Sequence, residues 1–278
     1  MFSHGIELEN LQNNIPVRII STPRVDLKVC CADDKILTII ENNIEDYDNF
    51  PVVENRDSDQ TQIIGLLNVK KLTEDEKTTS TVGEKMERLS EKNLIGADAS
   101  ILSYIESAKS AECRLLISGV NISGMVCLSD LQKLPVRSAI FALITNLEQI
   151  MSTLVEYKDC HFEKWKGHLA KNRIELINKR ITISKSNHNF ISELSHTDFN
   201  DKVIILDNIC DFDKSQYSLK YDLKRIKELR DKMYHAMDYA DTTEEGKNFI
   251  AIVELCQKWT KTLSSEMLSG KVSVLPAN

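Results

Sequence analysis

The sequence has few glycines and prolines, nine and five respectively in 278 residues. Collagen-like and low-complexity chains are therefore excluded, and helices are favoured. Its seven cysteines are an odd number, lie scattered along the chain and form no C-x-x-C pair. This pattern disfavours both a disulfide framework and a zinc ribbon. We therefore expect a reducing, cytoplasmic compartment.

Long apolar runs are also lacking. No N-terminal stretch combines a basic region with an apolar core. The longest run without charge, residues 115–129, is shorter than the roughly 20 residues of a membrane-spanning helix. We expect neither export nor a membrane partner. The length predicts two domains of ordinary size, each able to bury a core.

Common nucleotide-binding and catalytic motifs are absent. Gly119 and Gly124 have the P-loop spacing, but Met125 and Val126 follow them in place of Lys and Ser or Thr. No G-x-G-x-x-G, H-E-x-x-H or G-x-S-x-G occurs. The cysteine and two histidines of residues 160–168 lack metal-ligand spacing, so we expect no metal site.

Charge is unevenly distributed. Residues 1–134 carry 14 Lys and Arg against 22 Asp and Glu, whereas residues 135–278 carry 21 against 20. The acidic first half is a poor polyanion binder, but the second half contains two basic clusters that fit phosphate binding. Acidic residues interleaved at helical spacing leave open that these are ordinary solvated helix faces. The clusters are Lys164, Lys166, Lys171, Arg173, Lys179, Arg180 and Lys185, and Lys220, Lys224, Arg225, Lys227, Arg230 and Lys232.

The first half contains an internal repeat. ADDKILTIIE, residues 32–41, matches ADASILSYIE, residues 97–106, at six of ten positions. An apolar strand and then a glycine-led strand follow each copy, which predicts strand, helix, strand, strand, helix twice over. The polar stretch between the copies, residues 77–92, is interpreted as a linker with one exposed helix.

This duplicated pattern resembles a tandem cystathionine-β-synthase-type (CBS) domain pair. The segments that carry the resemblance are ADDKILTII, FPVVE, GLLNVKKL and GMVCLSDL. It implies an α/β domain over residues 1–134, with βαββα repeats at about 17–76 and 93–134. It also implies a regulatory sensor that binds an adenine nucleotide or a nucleotide second messenger between the repeats.

The ligand motif of that family is a glycine, two apolar residues, Thr or Ser, two further residues and an Asp that receives the ribose hydroxyls. In the second repeat Gly124 and Asp130 match it, and Cys127 replaces the hydroxyl residue. In the first repeat Asn68 replaces the hydroxyl residue and Lys71 replaces the Asp. The resemblance therefore implies at most one ribose site, with Lys71 available to a phosphate. The alternative is a dimerisation scaffold with empty clefts.

The second half, residues 135–278, has helical periodicity throughout. We expect long helices at about 135–157, 162–183, 219–240 and 244–267, in an up-and-down bundle. Residues 185–216 form a polar excursion with one short helix. In the third long helix, Leu219, Leu223, Ile226, Leu229, Met233 and Met237 make one core stripe.

Arg230 lies at the edge of that stripe, and Asp231 and His235 lie one turn apart on the solvent side. The segment RDKMYH, residues 230–235, resembles the R-x4-6-H motif of the all-α HEPN family, and the helical frame around it supports the resemblance. The family implies a two-fold homodimer that binds RNA and cuts it without a metal or other cofactor. Arg230 and His235 are then the catalytic residues, Asp231 orients the imidazole, and Tyr234 contacts the substrate.

The leading interpretation is a nucleotide-regulated, metal-independent endoribonuclease that leaves 2′,3′-cyclic phosphate ends. Its layout resembles sensor-plus-HEPN effectors of antiphage defence or stress response. A non-catalytic HEPN interaction module and an adenylate-sensing regulatory subunit remain as alternatives.

Overall fold

The computed structural model describes residues 15–54, 62–158, 161–187, 191–210, 212 and 218–272, with side chains as far as residue 267. These residues fall into two compact units, of which the first ends at Val136 and the second begins at Arg137. Cys160 and parts of the expected polar excursion lie outside the described residues.

The N-terminal unit consists of short strands and helices in two related halves. Its strands are β1 (Thr22–Pro23), β2 (Cys30–Cys31), β3 (Asn49–Val53), β4 (Ile63–Asn68), β5 (Glu87–Arg88), β6 (Leu94–Gly96), β7 (Cys113–Ser118) and β8 (Asn121–Cys127). Its helices are α1 (Ile36–Glu41), α2 (Glu74–Thr79), α3 (Val82–Lys85) and α4 (Ile101–Ser107). Short 3-10 turns at Val69–Lys71 and Leu128–Gln132 follow the glycine-led strands.

Each repeat builds one four-stranded sheet. The strand orders are β2-β3-β4-β5 and β1-β8-β7-β6. In both sheets the first strand of the repeat runs parallel to the second, which pairs antiparallel with the third. The predicted duplication is therefore confirmed for strand, helix, strand and strand, and the fifth element, expected as a helix, begins as a 3-10 turn in both repeats.

The two repeats exchange their outer strands. β1 lies N-terminal to the strands β2, β3 and β4 of the first repeat but pairs with β8 of the second, whereas β5 lies N-terminal to β6, β7 and β8 of the second repeat and pairs with β4 of the first. The flanking bridges obey the same rule, because Pro16 pairs with Ser100 and Thr81 pairs with Lys35. Each residue of one bridge lies 65 positions from its counterpart in the other, the same offset as the sequence repeat.

This exchange corrects the interpretation of residues 77–92 as a linker. Val82 is fully buried and Ser80 is nearly so. The Ser80 carbonyl accepts a hydrogen bond from the Ile36 amide, and the Val82 amide donates to the Asp34 carbonyl. The segment is thus part of the first repeat's structure. The segment has the composition of a linker because its elements are very short and most of their positions are exposed and polar.

The C-terminal unit is helical. Its helices are α5 (Leu134–Lys158), α6 (Phe162–Trp165), α7 (Lys171–Ser186), α8 (Phe199–Ile209), α9 (Leu219–Tyr234) and α10 (Thr243–Val272). The helix expected at 162–183 is instead divided into α6, a 3-10 turn at Lys166–His168 and α7. The polar excursion contains a helix of 11 residues, α8, whose first turn is closed by a capping box at Asp198.

α5 is long and apolar enough to span a bilayer by length and composition alone. Half of its most apolar window is buried within the protein, however. Its buried residues include Ile140, Leu143, Leu147 and Met151, which recur at helical spacing on one face. The apolar character of α5 is accounted for by this core face.

α9 confirms the core stripe except at its end. Leu219, Leu223, Ile226, Leu229 and Met233 are buried, but Met237 is 54% exposed. The helix stops at Tyr234 because Ala236 adopts a left-handed backbone with φ of 54°. The Ala236 amide then donates to the Met233 carbonyl and the Met237 amide to the Lys232 carbonyl, which is a Schellman motif.

Candidate functional site

Gly65 and Gly124, which begin the ligand-like motifs, are sites of close backbone approach. A Cβ atom on Gly124 would lie 2.6 Å from the Thr22 carbonyl oxygen of β1, and one on Gly65 would lie 2.7 Å from the Glu87 carbonyl oxygen of β5. Real Cβ contacts are not that short. Both glycines are therefore required by the exchanged strands, and Gly124 has a packing role in addition to any ligand role.

Asp130 is buried and its carboxylate is already engaged. One oxygen accepts a hydrogen bond of 2.7 Å from the Cys127 amide, and the other lies 2.7 Å from the ammonium of Lys133. Burial raises the pKa of Asp130, while the hydrogen bonds from Lys133 and the Cys127 amide act in the opposite direction. The Asp130 side chain is held in one orientation beside the strand β8.

Cys127 faces another thiol. Cys113 lies directly opposite it in the register of β7 and β8, with the two sulfur atoms 3.0 Å apart. The contact with Cys113, followed by burial, raises the pKa of the Cys127 thiol well above its usual value. The equivalent cross-strand pair of the first repeat, Asn49 and Asn68, is joined by a hydrogen bond of 2.9 Å. Cys127 at this position thus contacts a second thiol, where the family motif has a hydroxyl residue.

The first repeat reverses the charges of the second. Lys71 occupies the position of Asp130, and Glu74 occupies that of Lys133, counting from the two motif glycines. The Lys71 ammonium is exposed and lies 3.5 Å from the carboxylate of Glu87 on β5. Lys71 therefore presents a cation where the second repeat presents an acid.

Arg230 in the C-terminal unit is held on both sides. Its Nη1 donates to Glu148 of α5 at 3.0 Å, and its guanidinium lies over the ring of Phe199 at 5.5 Å. Its Nε is 3.7 Å from the carboxylate of Asp231. Among the described residues, Nη2 has no hydrogen-bond partner, and the side chain is 28% exposed. Arg230 is fixed in place with one edge of its fork of donors open.

The acid that holds Arg230, Glu148, and the second cation that it binds were not predicted from the sequence. Glu148 also accepts a hydrogen bond of 2.9 Å from Lys202, whose ammonium is buried and donates in addition to the Thr197 carbonyl. Burying an ammonium is costly unless it is paired, so Glu148 serves two cations at once. The available signal was Glu148 itself, because it is an acid within the otherwise apolar stretch IFALITNLEQIM.

The other residues of the RDKMYH segment are less tightly arranged. The Asp231 carboxylate lies 2.6 Å from the ammonium of Lys227, so it is directed at that lysine and not at the His235 imidazole as the sequence predicted. His235 is exposed at the C-cap of α9. Tyr234 is 75% exposed, and its ring is nearly perpendicular to the His235 ring, with the two ring centroids 5.1 Å apart. The two rings form an open surface at the end of α9.

The two arginines of the first basic cluster are paired with acids of the same unit. Arg173 pairs with Asp198 and Asp201, and Arg180 pairs with Asp198 and donates to the His196 carbonyl. Asp201 is only 2% exposed, so this network belongs to the packing of α7 against α8. Within the described residues, no three His, Cys, Asp or Glu side chains are arranged to hold a metal ion.

Several solved CBS-domain structures are similar to this chain. The CBS domain of a bacterial CNNM/CorC family Mg2+ transporter in complex with ATP is 19% identical, with a TM-score of 0.37 over 46% of this chain and 92% of that one. A hemolysin-like protein from Oenococcus oeni PSU that contains a CBS domain is 18% identical, with a TM-score of 0.35 over 45% and 93%. The CBS-pair protein CBSX2 from Arabidopsis thaliana is 15% identical, with a TM-score of 0.36 over 45% and 94%.

No protein-family model and no curated protein matches the chain. At these identities, the likeness to solved structures concerns the fold alone, over roughly half the chain. The repeated strand, helix, strand and strand, with outer strands exchanged between two sheets, give the N-terminal unit a CBS-domain-like α/β fold, and the C-terminal unit is helical.

Proposed function

We propose that the chain is a nucleotide-regulated, metal-independent endoribonuclease whose cleavage site contains Arg230 and His235. The observation that carries the proposal is the state of Arg230. Glu148 and Phe199 fix its guanidinium, while Nη2 has no partner among the described residues, and an exposed histidine follows five residues later. A pre-oriented guanidinium suits a phosphate, because its donors match two phosphate oxygens.

The chemistry requires little else from the protein. RNA supplies its own nucleophile, the 2′-hydroxyl next to the scissile phosphate. The enzyme must accept the proton from that hydroxyl, donate one to the leaving 5′-oxygen and stabilise the added negative charge on phosphorus. Histidine titrates in the range needed for proton transfer. One histidine cannot be base and acid at the same time, so the proposal includes a homodimer in which two copies of Arg230 and His235 face one RNA strand.

The regulatory part of the proposal lies in the N-terminal unit. CBS domains commonly act as regulatory nucleotide sensors. Asp130 is the only acid at the ribose position of the two motifs, and its carboxylate is pre-oriented by the Cys127 amide. We assign it the two ribose hydroxyls of an adenine nucleotide or nucleotide second messenger, with the first repeat, which carries Lys71, left without a ribose site.

The experiment is an RNA cleavage assay with the purified full chain. Labelled RNA is incubated in EDTA with AMP, ADP, ATP or no nucleotide. We expect cleavage that survives EDTA and changes with one of these nucleotides. Asp130→Ala should abolish the nucleotide response and leave the rate measured without nucleotide unchanged. Wild-type protein that cuts no RNA under any of these conditions would contradict the nuclease assignment.

A second candidate function is a non-catalytic, nucleotide-responsive interaction module. It is favoured by the ion pairs of Arg230 with Glu148 and of Asp231 with Lys227, since both residues then have structural roles. The two functions differ in the assay above. An interaction module binds nucleotide through Asp130 but leaves RNA intact.

A further inference from the structure

Lys133 connects the ligand motif of the second repeat with the segment that precedes β1. Its ammonium lies 2.7 Å from one carboxylate oxygen of Asp130, and it also donates to the carbonyl of Ile20. Ile20 belongs to the segment that leads into β1, the strand that crosses Gly124. An ammonium therefore occupies the space between Asp130 and the exchanged segment.

The Asp130 oxygen that contacts Lys133 is the one a ribose would need. The other oxygen is committed to the Cys127 amide, which belongs to the fold of the motif itself. A carboxylate has about four acceptor positions in all, so ribose hydroxyls that reach Asp130 compete with the lysine ammonium for those on this oxygen. The Lys133 side chain is 43% exposed and has a flexible four-carbon stem, so it can swing outward once its contacts with Asp130 and the Ile20 carbonyl are broken.

Displacement has different consequences for different ligands. A nucleoside takes over the carboxylate but offers nothing to the released ammonium, so the ion pair is lost without replacement. A nucleotide carries a phosphate, which is a strong partner for a lysine ammonium. The same lysine thus opposes binding of the neutral ligand and supports binding of the charged one.

We propose that Lys133 is the residue by which this site selects nucleotides over nucleosides: it competes with the ribose for Asp130 and, once displaced, binds the phosphate. The inference rests on the proposed nucleotide binding at Asp130 and adds to it a specificity-determining residue. The first repeat has no counterpart, because Lys71 and Glu74 reverse the two charges and Glu74 pairs with Lys77 instead.

The test compares AMP with adenosine by isothermal titration calorimetry on the full chain. Wild type should bind AMP more tightly than adenosine. In Lys133→Met, AMP should bind more weakly and adenosine more tightly, so that the ratio of the two affinities falls by about tenfold or more, as expected for one charge-assisted contact. Lys133→Arg keeps the charge and should largely restore the ratio. A purely structural lysine would not change the two affinities in opposite directions.

Lys77→Met is the matched control, because Lys77 forms an ion pair with Glu74 at the same spacing and the same distance of 2.7 Å. It should leave the ratio unchanged. Equal affinities of wild type for AMP and adenosine would overturn the inference without any variant. So would an AMP affinity that depends on Asp130 but not on Lys133, and that result would leave the proposed site intact. Absence of AMP binding to wild type, or AMP binding that Asp130→Ala does not change, would overturn both the role of Lys133 and the proposed nucleotide site at Asp130.

Discussion

Arg230 of α9 donates to Glu148 of α5 at 3.0 Å, and the second oxygen of the same carboxylate accepts from Lys202 of α8 at 2.9 Å. Three helices that are far apart in sequence thus meet at one acid. With Asp231 and Lys227, which adjoin Arg230, the group holds three cations and two acids, and this excess of one positive charge favours an anionic ligand at the exposed edge of Arg230.

Glu148→Ala should destabilise the protein by about 2–3 kcal/mol. The reason is that Lys202 loses its counter-ion while its ammonium stays buried, and a broken buried pair is costly. We place the value below the full range for buried pairs because Glu148 itself is one quarter exposed. Urea denaturation measures the change. Glu175→Ala removes an exposed acid of the same unit and should change stability by no more than about 0.5 kcal/mol; a similar loss in both variants would contradict the role of Glu148.

Arg230→Ala and His235→Ala should differ in stability. From the sequence alone both are expected to behave as surface changes, within about 0.5 kcal/mol. The structure keeps that expectation for His235, which is exposed, and changes it for Arg230, whose contacts with Glu148 and Phe199 contribute about 1–2 kcal/mol. Thermal or urea unfolding of the two variants decides the matter, and equal stabilities would show that the Arg230 contacts are weak.

Ala236→Gly should stabilise the protein by about 0.5–1 kcal/mol. Ala236 has a φ of 54° at the end of α9, and a side chain in the left-handed region is strained, whereas glycine adopts it freely. Ala142→Gly is the control, since it lies inside α5 and should destabilise by about 1 kcal/mol. The midpoint of thermal unfolding should therefore rise for Ala236→Gly and fall for Ala142→Gly. A loss of stability in Ala236→Gly would show that the helix does not end in this motif.

Gly124→Ala and Gly65→Ala should each destabilise the N-terminal unit by about 1–3 kcal/mol, as an added atom does in a tightly packed site. The new methyl group would meet the backbone of β1 or β5, which cannot rotate away as a side chain can. Gly96→Ala provides the comparison, because a Cβ there meets nothing within 4 Å. Differential scanning calorimetry of the three variants tests the strand exchange, and tolerance of alanine at both motif glycines would argue against it.

The features predictable from the sequence are those with a local signal. The repeat of residues 32–41 at 97–106 and the core stripe of α9 from Leu219 to Met233 both have a fixed spacing, and the structure confirms each. The strand exchange has no such signal, because β1 and β5 are two residues long and pair with a distant repeat.

Two features near the candidate site were unpredictable for similar reasons. The helix end at Tyr234 carries no glycine, so the pattern of apolar residues wrongly extended α9 to residue 240. Glu148 and Phe199, the partners of Arg230, lie 82 and 31 positions before it in the sequence, and only the folded chain brings them together. Asp231 was assigned to His235 from helical spacing, but Lys227 lies at the same spacing in the other direction and takes its carboxylate.

The cleavage of a defined RNA by His235→Ala is the most direct test of the central claim. The rate is measured in EDTA, with the activating nucleotide if one is needed, beside wild type and His168→Ala, which removes an exposed histidine of the same unit. We predict a loss of about 10²-fold or more for His235→Ala and none for His168→Ala. Wild-type products should end in 2′,3′-cyclic phosphate, and a 2′-deoxy sugar at the scissile position should block cleavage. Unchanged cleavage by His235→Ala, or cutting of the 2′-deoxy substrate, would contradict the proposed nuclease.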